Sequence, residues 1–156
     1  MKHQPGKKGK KRLLQTWSFD QVTKALPYLI DVTRSLRESY LAKQFEKRRL
    51  NKISQVLTGL GLTSQGRTYL IQIQQTQFDL DLASSKYESD AQELESMGIF
   101  VVSPSNGCVA IPFLQEEQLA WYVLELYHEE TICGWRYQSD PIETRRPLLT
   151  KQKGIV

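Results

Sequence analysis

The chain has 156 residues, with 21 Lys plus Arg against 17 Asp plus Glu and 40% hydrophobic side chains. That length supports one sizeable core, the composition is neither disordered nor membrane-like, and no apolar run is long enough to cross a bilayer. The net charge of +4 hides an uneven distribution: residues 1–12 hold six basic side chains and no acid, residues 145–156 hold four more and no acid, and 13–144 carries a net of −6.

Residues 1–16 read as a basic tail without hydrophobic periodicity, its charge on Lys2, Lys7, Lys8, Lys10, Lys11 and Arg12. The Leu-Leu-Gln-Thr-Trp that follows Arg12 lacks the apolar core of a secretory signal. Cys108 and Cys133 are too few for a disulfide scaffold, so buried thiols and a cytoplasmic location are expected. One α+β domain is expected over 17–148, with helices over about 18–97, a sheet over about 99–138, and 149–156 as a tail.

Ser18 with Gln21 three residues later fits a capping box, and Trp17 is placed to staple onto the first turn. Pro27 interrupts the helical pattern, which predicts a short helix over 18–26 and a second helix over about 27–57. In that second helix Leu29, Val32, Leu36, Leu50, Ile53 and Leu57 share one heptad register, broken in the middle by Ser39, Lys43 and Glu46. Tyr40, Leu41 and Phe45 supply apolar bulk there, displaced around the helix. Gly59 and Gly61 end the run. A third helix over about 68–97 repeats by threes and fours through Leu70, Ile73, Gln77, Leu80, Ser84, Tyr87, Ala91 and Leu94, a coiled-coil-like seam. A short loop makes the two long helices an antiparallel hairpin. Its polar-interrupted seams call for a further partner surface: the short helix, the sheet or a second copy.

After Gly98 the period changes from 3.6 to 2. Strands are expected at 99–103, 108–113, 120–128 and 131–138, with Pro104-Ser-Asn-Gly107 as the first turn; 119–126 could also be drawn as a turn or two of helix. The fold class is therefore α+β: a short N-terminal helix, a long antiparallel helical hairpin and a three- to four-stranded antiparallel sheet.

Three blocks carry a family resemblance. They are Trp17-Ser-Phe-Asp with Leu26-Pro27, the junction Leu94–Ile99 followed by Pro104-Ser-Asn-Gly107 and Ile111-Pro112, and Trp135 with Thr144-Arg-Arg-Pro-Leu148. In this order they resemble the bacterial family catalogued as domain of unknown function 2203, across about 17–148. The chain departs from it at Trp135-Arg136, where the family commonly shows Trp-His. The resemblance implies no particular activity.

Candidate chemistry is sparse. His128, Cys133 and Cys108 with Glu129 or Glu130 could converge on a metal, but the spacing is not that of a zinc motif, and a solvated hairpin tip explains them more simply. No nucleophile elbow, phosphate-binding loop or dinucleotide fingerprint is present. No cofactor, metal or catalytic residue is therefore assigned. Trp135, Arg136, Arg145 and Arg146 form the most suggestive constellation, because arginine forks bind carboxylates and phosphates and stack on rings. They read either as an anion or partner site or, as the charge balance favours, as clamps onto carboxylates such as Glu125, Glu129 or Glu93. Lys7, Lys8, Lys10, Lys11 and Arg12 form an electrostatic tail able to bind nucleic acid, the ribosome or an acidic protein weakly and without sequence preference. The favoured reading is a non-enzymatic, cytoplasmic interaction or scaffold protein that self-associates, most simply as a homodimer, and contacts no membrane. The alternatives are nucleic-acid or ribosome association through the basic ends, and a small anion-binding domain at the Arg-Arg motif.

Overall fold

A computed structural model describes residues 14–61, 63–126 and 131–148. Two helices, α1 (Phe19–Leu60) and α2 (Ser64–Ser96), precede four strands, β1 (Phe100–Ser103), β2 (Cys108–Gln115), β3 (Gln118–Glu125) and β4 (Ile132–Tyr137). The strands form one antiparallel meander in the order β1-β2-β3-β4, and the α+β architecture is as expected. The lysine cluster at 7–12, His128, Glu129, Glu130 and the 149–156 tail lie outside the described residues.

The N-terminus of α1 is capped as the sequence indicates: Gln21 N–H donates to Ser18 Oγ at 3.1 Å, and Ser18 N–H donates to Gln21 Oε1 at 2.9 Å. Trp17, expected as a local staple, reaches farther. Its indole N–H donates to the Met97 carbonyl and its backbone N–H to the Pro112 carbonyl, tying the chain's entry to the helix–sheet junction.

The separate short helix is the expectation that fails. Pro27 lies inside one continuous α1 of 42 residues. A proline there removes the donor for the Thr23 carbonyl and costs about 3 kcal/mol in an isolated helix. Here Val22 and Leu29, one on each side of it, are both fully buried in the same core cluster. Breaking the axis at Pro27 would pull one of them out, so tertiary burial overrides the local preference.

At its other end α1 closes on Gly61, whose N–H donates to the Leu57 carbonyl at 3.1 Å. α2 then starts one turn earlier than expected, because the Thr63 side chain caps it by accepting from Gly66 N–H at 3.0 Å. A Cβ on Gly66 would stand 2.1 Å from the Gly61 carbonyl oxygen, so only glycine lets the turn close this tightly. α1 and α2 then run antiparallel; at 1.5 Å per residue they are roughly 63 and 50 Å long.

The core lies at one end of this hairpin. Val109, Ile111, Phe113, Ala120, Tyr122, Leu124, Ile132 and Trp135 from the sheet meet Val22, Leu29, Val32 and Leu36 of α1 and Leu94 of α2. Phe113 stacks on Tyr122 at 3.8 Å between centroids and meets Trp135 edge-on at 5.8 Å. Within 40–86 the only buried positions among the described residues are Ile53, Gly66 and Thr76. The sheet thus supplies the third surface that the seams required, but only for the proximal half. The distal half extends past it as a two-helix arm.

Candidate functional site

Strand β4 and the segment after it bring the sequence-selected arginines together with their partners. Trp135 and Arg146 exchange both backbone hydrogen bonds, at 3.0 and 2.7 Å. This approach leaves no room beside Gly134, where a Cβ would lie 2.6 Å from the Arg146 carbonyl oxygen. The indole N–H of Trp135 donates to the Pro147 carbonyl at 3.1 Å, and Leu148 packs against the core.

Arg146 grips Asp140 through both carboxylate oxygens, Nε at 2.8 Å and Nη2 at 3.0 Å. Its guanidinium also lies over the Trp135 and Tyr137 rings, 5.5 and 4.9 Å from their centroids. The donated hydrogen bonds of Arg146, and next that of the Tyr137 backbone N–H, hold the Asp140 carboxyl down at about 2. Arg145 is committed as fully: Nη2 pairs with Glu125 on β3, and Nη1 donates to the carbonyls of Ile142 and Thr144 at 2.8 and 2.9 Å. Arg136 is buried on β4 opposite Trp121; its Nη1 donates to the Tyr137 carbonyl at 3.3 Å, while its Nε has no hydrogen-bond partner. The four selected residues therefore sit within one strand and its docked continuation, yet Arg145 and Arg146 point at this chain's own carboxylates.

Beside Arg145 an open cleft of about 640 Å3 is lined by Ser103, Asn106, Cys108, Glu125, Glu143 and Arg145, among others. Strand register creates it, since Cys108 on β2 stands directly across from Glu125 on β3. The Cys108 thiol donates to Glu125 Oε1 at 3.6 Å. Burial, reinforced by the Glu125 carboxylate, pushes that thiol up to about 12. A thiol so poorly ionised at neutral pH is a weak nucleophile and a weak metal ligand. Cys108 and Cys133 are not disulfide-bonded, and no cluster of three or more metal-ligating side chains occurs among the described residues. No helix among them is long and apolar enough to cross a membrane.

The distal arm presents a different kind of surface. On α1 the seam toward α2 follows Leu36, Ser39, Lys43, Glu46, Leu50 and Ile53, all buried or half-buried. Roughly opposite that seam at 3.6 residues per turn lie Leu41, Phe45, Arg48, Arg49, Lys52 and Val56, all exposed, with Phe45 at 62%. On α2, Ile71, Phe78 and Leu82 stand 67, 59 and 56% exposed on the face turned from α1. The sequence already marked Leu41 and Phe45 as displaced from the heptad. It gave no warning of Ile71, Phe78 and Leu82, although their spacing of seven and four defines one helical face. No protein-family model, curated protein or solved structure matches this chain.

Proposed function

We propose that this chain is a non-enzymatic, cytoplasmic interaction or scaffold protein that self-associates through the distal half of its helical hairpin. One observation carries the reading: large apolar side chains stand exposed on both outward faces of an arm whose interior contains almost no buried residue. Two helices with so thin a seam gain most from covering those faces, as amphipathic helices draw their stability from packing rather than propensity. The alternative anion site is disfavoured, because a phosphate at Arg145 or Arg146 would have to displace Glu125 or Asp140. A reducing compartment suits two cysteines that are not disulfide-bonded.

Sedimentation velocity of the full chain over a concentration series from low to high micromolar tests the reading. The expected result is a weight-average mass rising above the monomer within that range. A monomer at every concentration overturns it.

A further inference from the structure

The two outward faces of the arm differ in charge as well as in helix. The outward face of α1 carries Arg48, Arg49 and Lys52, with exposed Lys47 beside it, while Lys43 and Glu46 lie in the seam toward α2. Residues 71–82 of α2 carry Asp79 and Asp81 and no cation. Among the described residues neither Arg48, Arg49 and Lys52 nor Asp79 and Asp81 form an ion pair; the two aspartates accept only hydrogen bonds from Gln75 and Gln77 on their own helix. Around its apolar centre the α1 face is thus basic and the α2 face acidic, with exposed Glu38 beyond the first and exposed Arg67 and Lys86 at the two ends of the second.

Height along the arm matches too. Because α1 ends at Leu60, α2 begins at Ser64 and the two run antiparallel, Phe45 of α1 lies at about the height of Phe78 of α2. Leu41 likewise lies at about the height of Leu82, and Lys52 near that of Ile71. The faces are on opposite sides of the hairpin, so they cannot meet within one molecule. A second copy shifted sideways, without rotation, would set its Phe78 and Leu82 against Phe45 and Leu41 of the first. Asp79 would then come within about a helical turn of Arg48 and Arg49.

Resting on the proposed self-association, we infer that the contact is heterologous: the basic face of α1 in one copy packs on the acidic face of α2 in the next. Two like faces would instead oppose basic to basic or acid to acid, which electrostatics disfavours. A heterologous contact leaves one face of each kind free at the ends of a pair, so assembly continues to a ring or an open chain rather than stopping at a two-fold dimer.

The test uses two full-length variants, Phe45→Glu, which disables the α1 face, and Phe78→Glu, which disables the α2 face. Both positions are more than half exposed, so a glutamate is accommodated without unfolding, and circular dichroism of each variant checks this. Wild type is expected to form species larger than a dimer, less of them at higher salt. Each variant alone is expected to be monomeric. An equimolar mixture is expected to form a one-to-one pair, because each variant contributes the face that the other has lost. Self-association of either variant alone overturns the inference, since it shows like faces pairing. A mixture that stays monomeric while wild type associates also overturns it, leaving self-association intact. A wild type that remains monomeric throughout removes the underlying reading and this inference together.

Discussion

Replacing Thr76 by valine should make the protein more stable. Thr76 is fully buried on α2, facing the seam, and its hydroxyl has no hydrogen-bond partner. Three other helical threonines show the usual escape: Thr23, Thr58 and Thr68 each donate to the carbonyl four residues earlier. Buried Thr33 of α1, like Thr76, has no partner for its hydroxyl. On the helix facing Thr76, Glu46, at about the same height, also has a buried carboxylate oxygen without a partner. A buried hydroxyl left unsatisfied costs about 1–3 kcal/mol. Valine keeps the β-branched shape, opens no cavity and has nearly the helix propensity of threonine. The expected gain is therefore about 1–2 kcal/mol, or about 3–6 °C in Tm for a domain of this size. Urea and thermal denaturation followed by circular dichroism would measure it, at a concentration where the association state is unchanged. Destabilisation by T76V would refute the reasoning. It would mean that the hydroxyl donates to the Glu46 carboxylate in solution, so that valine strips a buried charge of its donor.

Two further predictions concern the C-terminal clamp and the cleft. The carboxyl of Asp140 titrates at about 2 when folded, below its ordinary 3.8, so its contribution is present above about pH 4 and lost as pH falls toward 2. The stability gap between wild type and Asp140→Asn, read from urea midpoints, should therefore shrink across that window; a gap independent of pH counts against the Arg146 grip. With its thiol pushed to about 12 and its side chain buried, Cys108 should resist iodoacetamide at about pH 8 until the protein is denatured, while half-buried Cys133 labels first. Comparable labelling rates in the native protein, measured by peptide mass spectrometry, would contradict that burial.

How far the sequence could be read depended on whether a local signal had a rival. The capping box at Ser18 and Gln21, the glycine stop at Gly61 and the change of period after Gly98 had none, and each marks an element boundary within a residue or two. On α1 the expected seam through Leu29, Leu36, Ser39, Lys43, Glu46 and Ile53 is the observed one. On α2 most of it holds, with Ile73, Leu80, Ser84, Tyr87, Ala91 and Leu94 buried or half-buried, but Leu70 and Gln77 are exposed and Thr76 is buried where Gln77 was expected. Polar residues in a seam leave the hydrophobic pattern nearly indifferent to a one-residue shift, and the facing helix makes the choice. The β2–β3 turn was equally opaque. Glu116 and Glu117 both adopt positive φ, 50° and 65°, positions where Asn-Gly is the usual signal. The pairing of Gln115 with Gln118 imposes a two-residue connection on them.

By itself the sequence determined the α+β order of elements, the antiparallel hairpin and the need for a surface to cover it, because periodicity and caps act within a few residues. Tertiary structure decided that Pro27 would not break α1, since burying Val22 and Leu29 together outweighs one lost hydrogen bond. It also set Arg145 on Glu125 and Arg146 on Asp140, a choice between carboxylates that only strand register could make. And it placed the sheet against one half of the hairpin alone. Which apolar side chains remain exposed depends on how far the covering layer reaches, a distance fixed by the packed core and not by any local pattern.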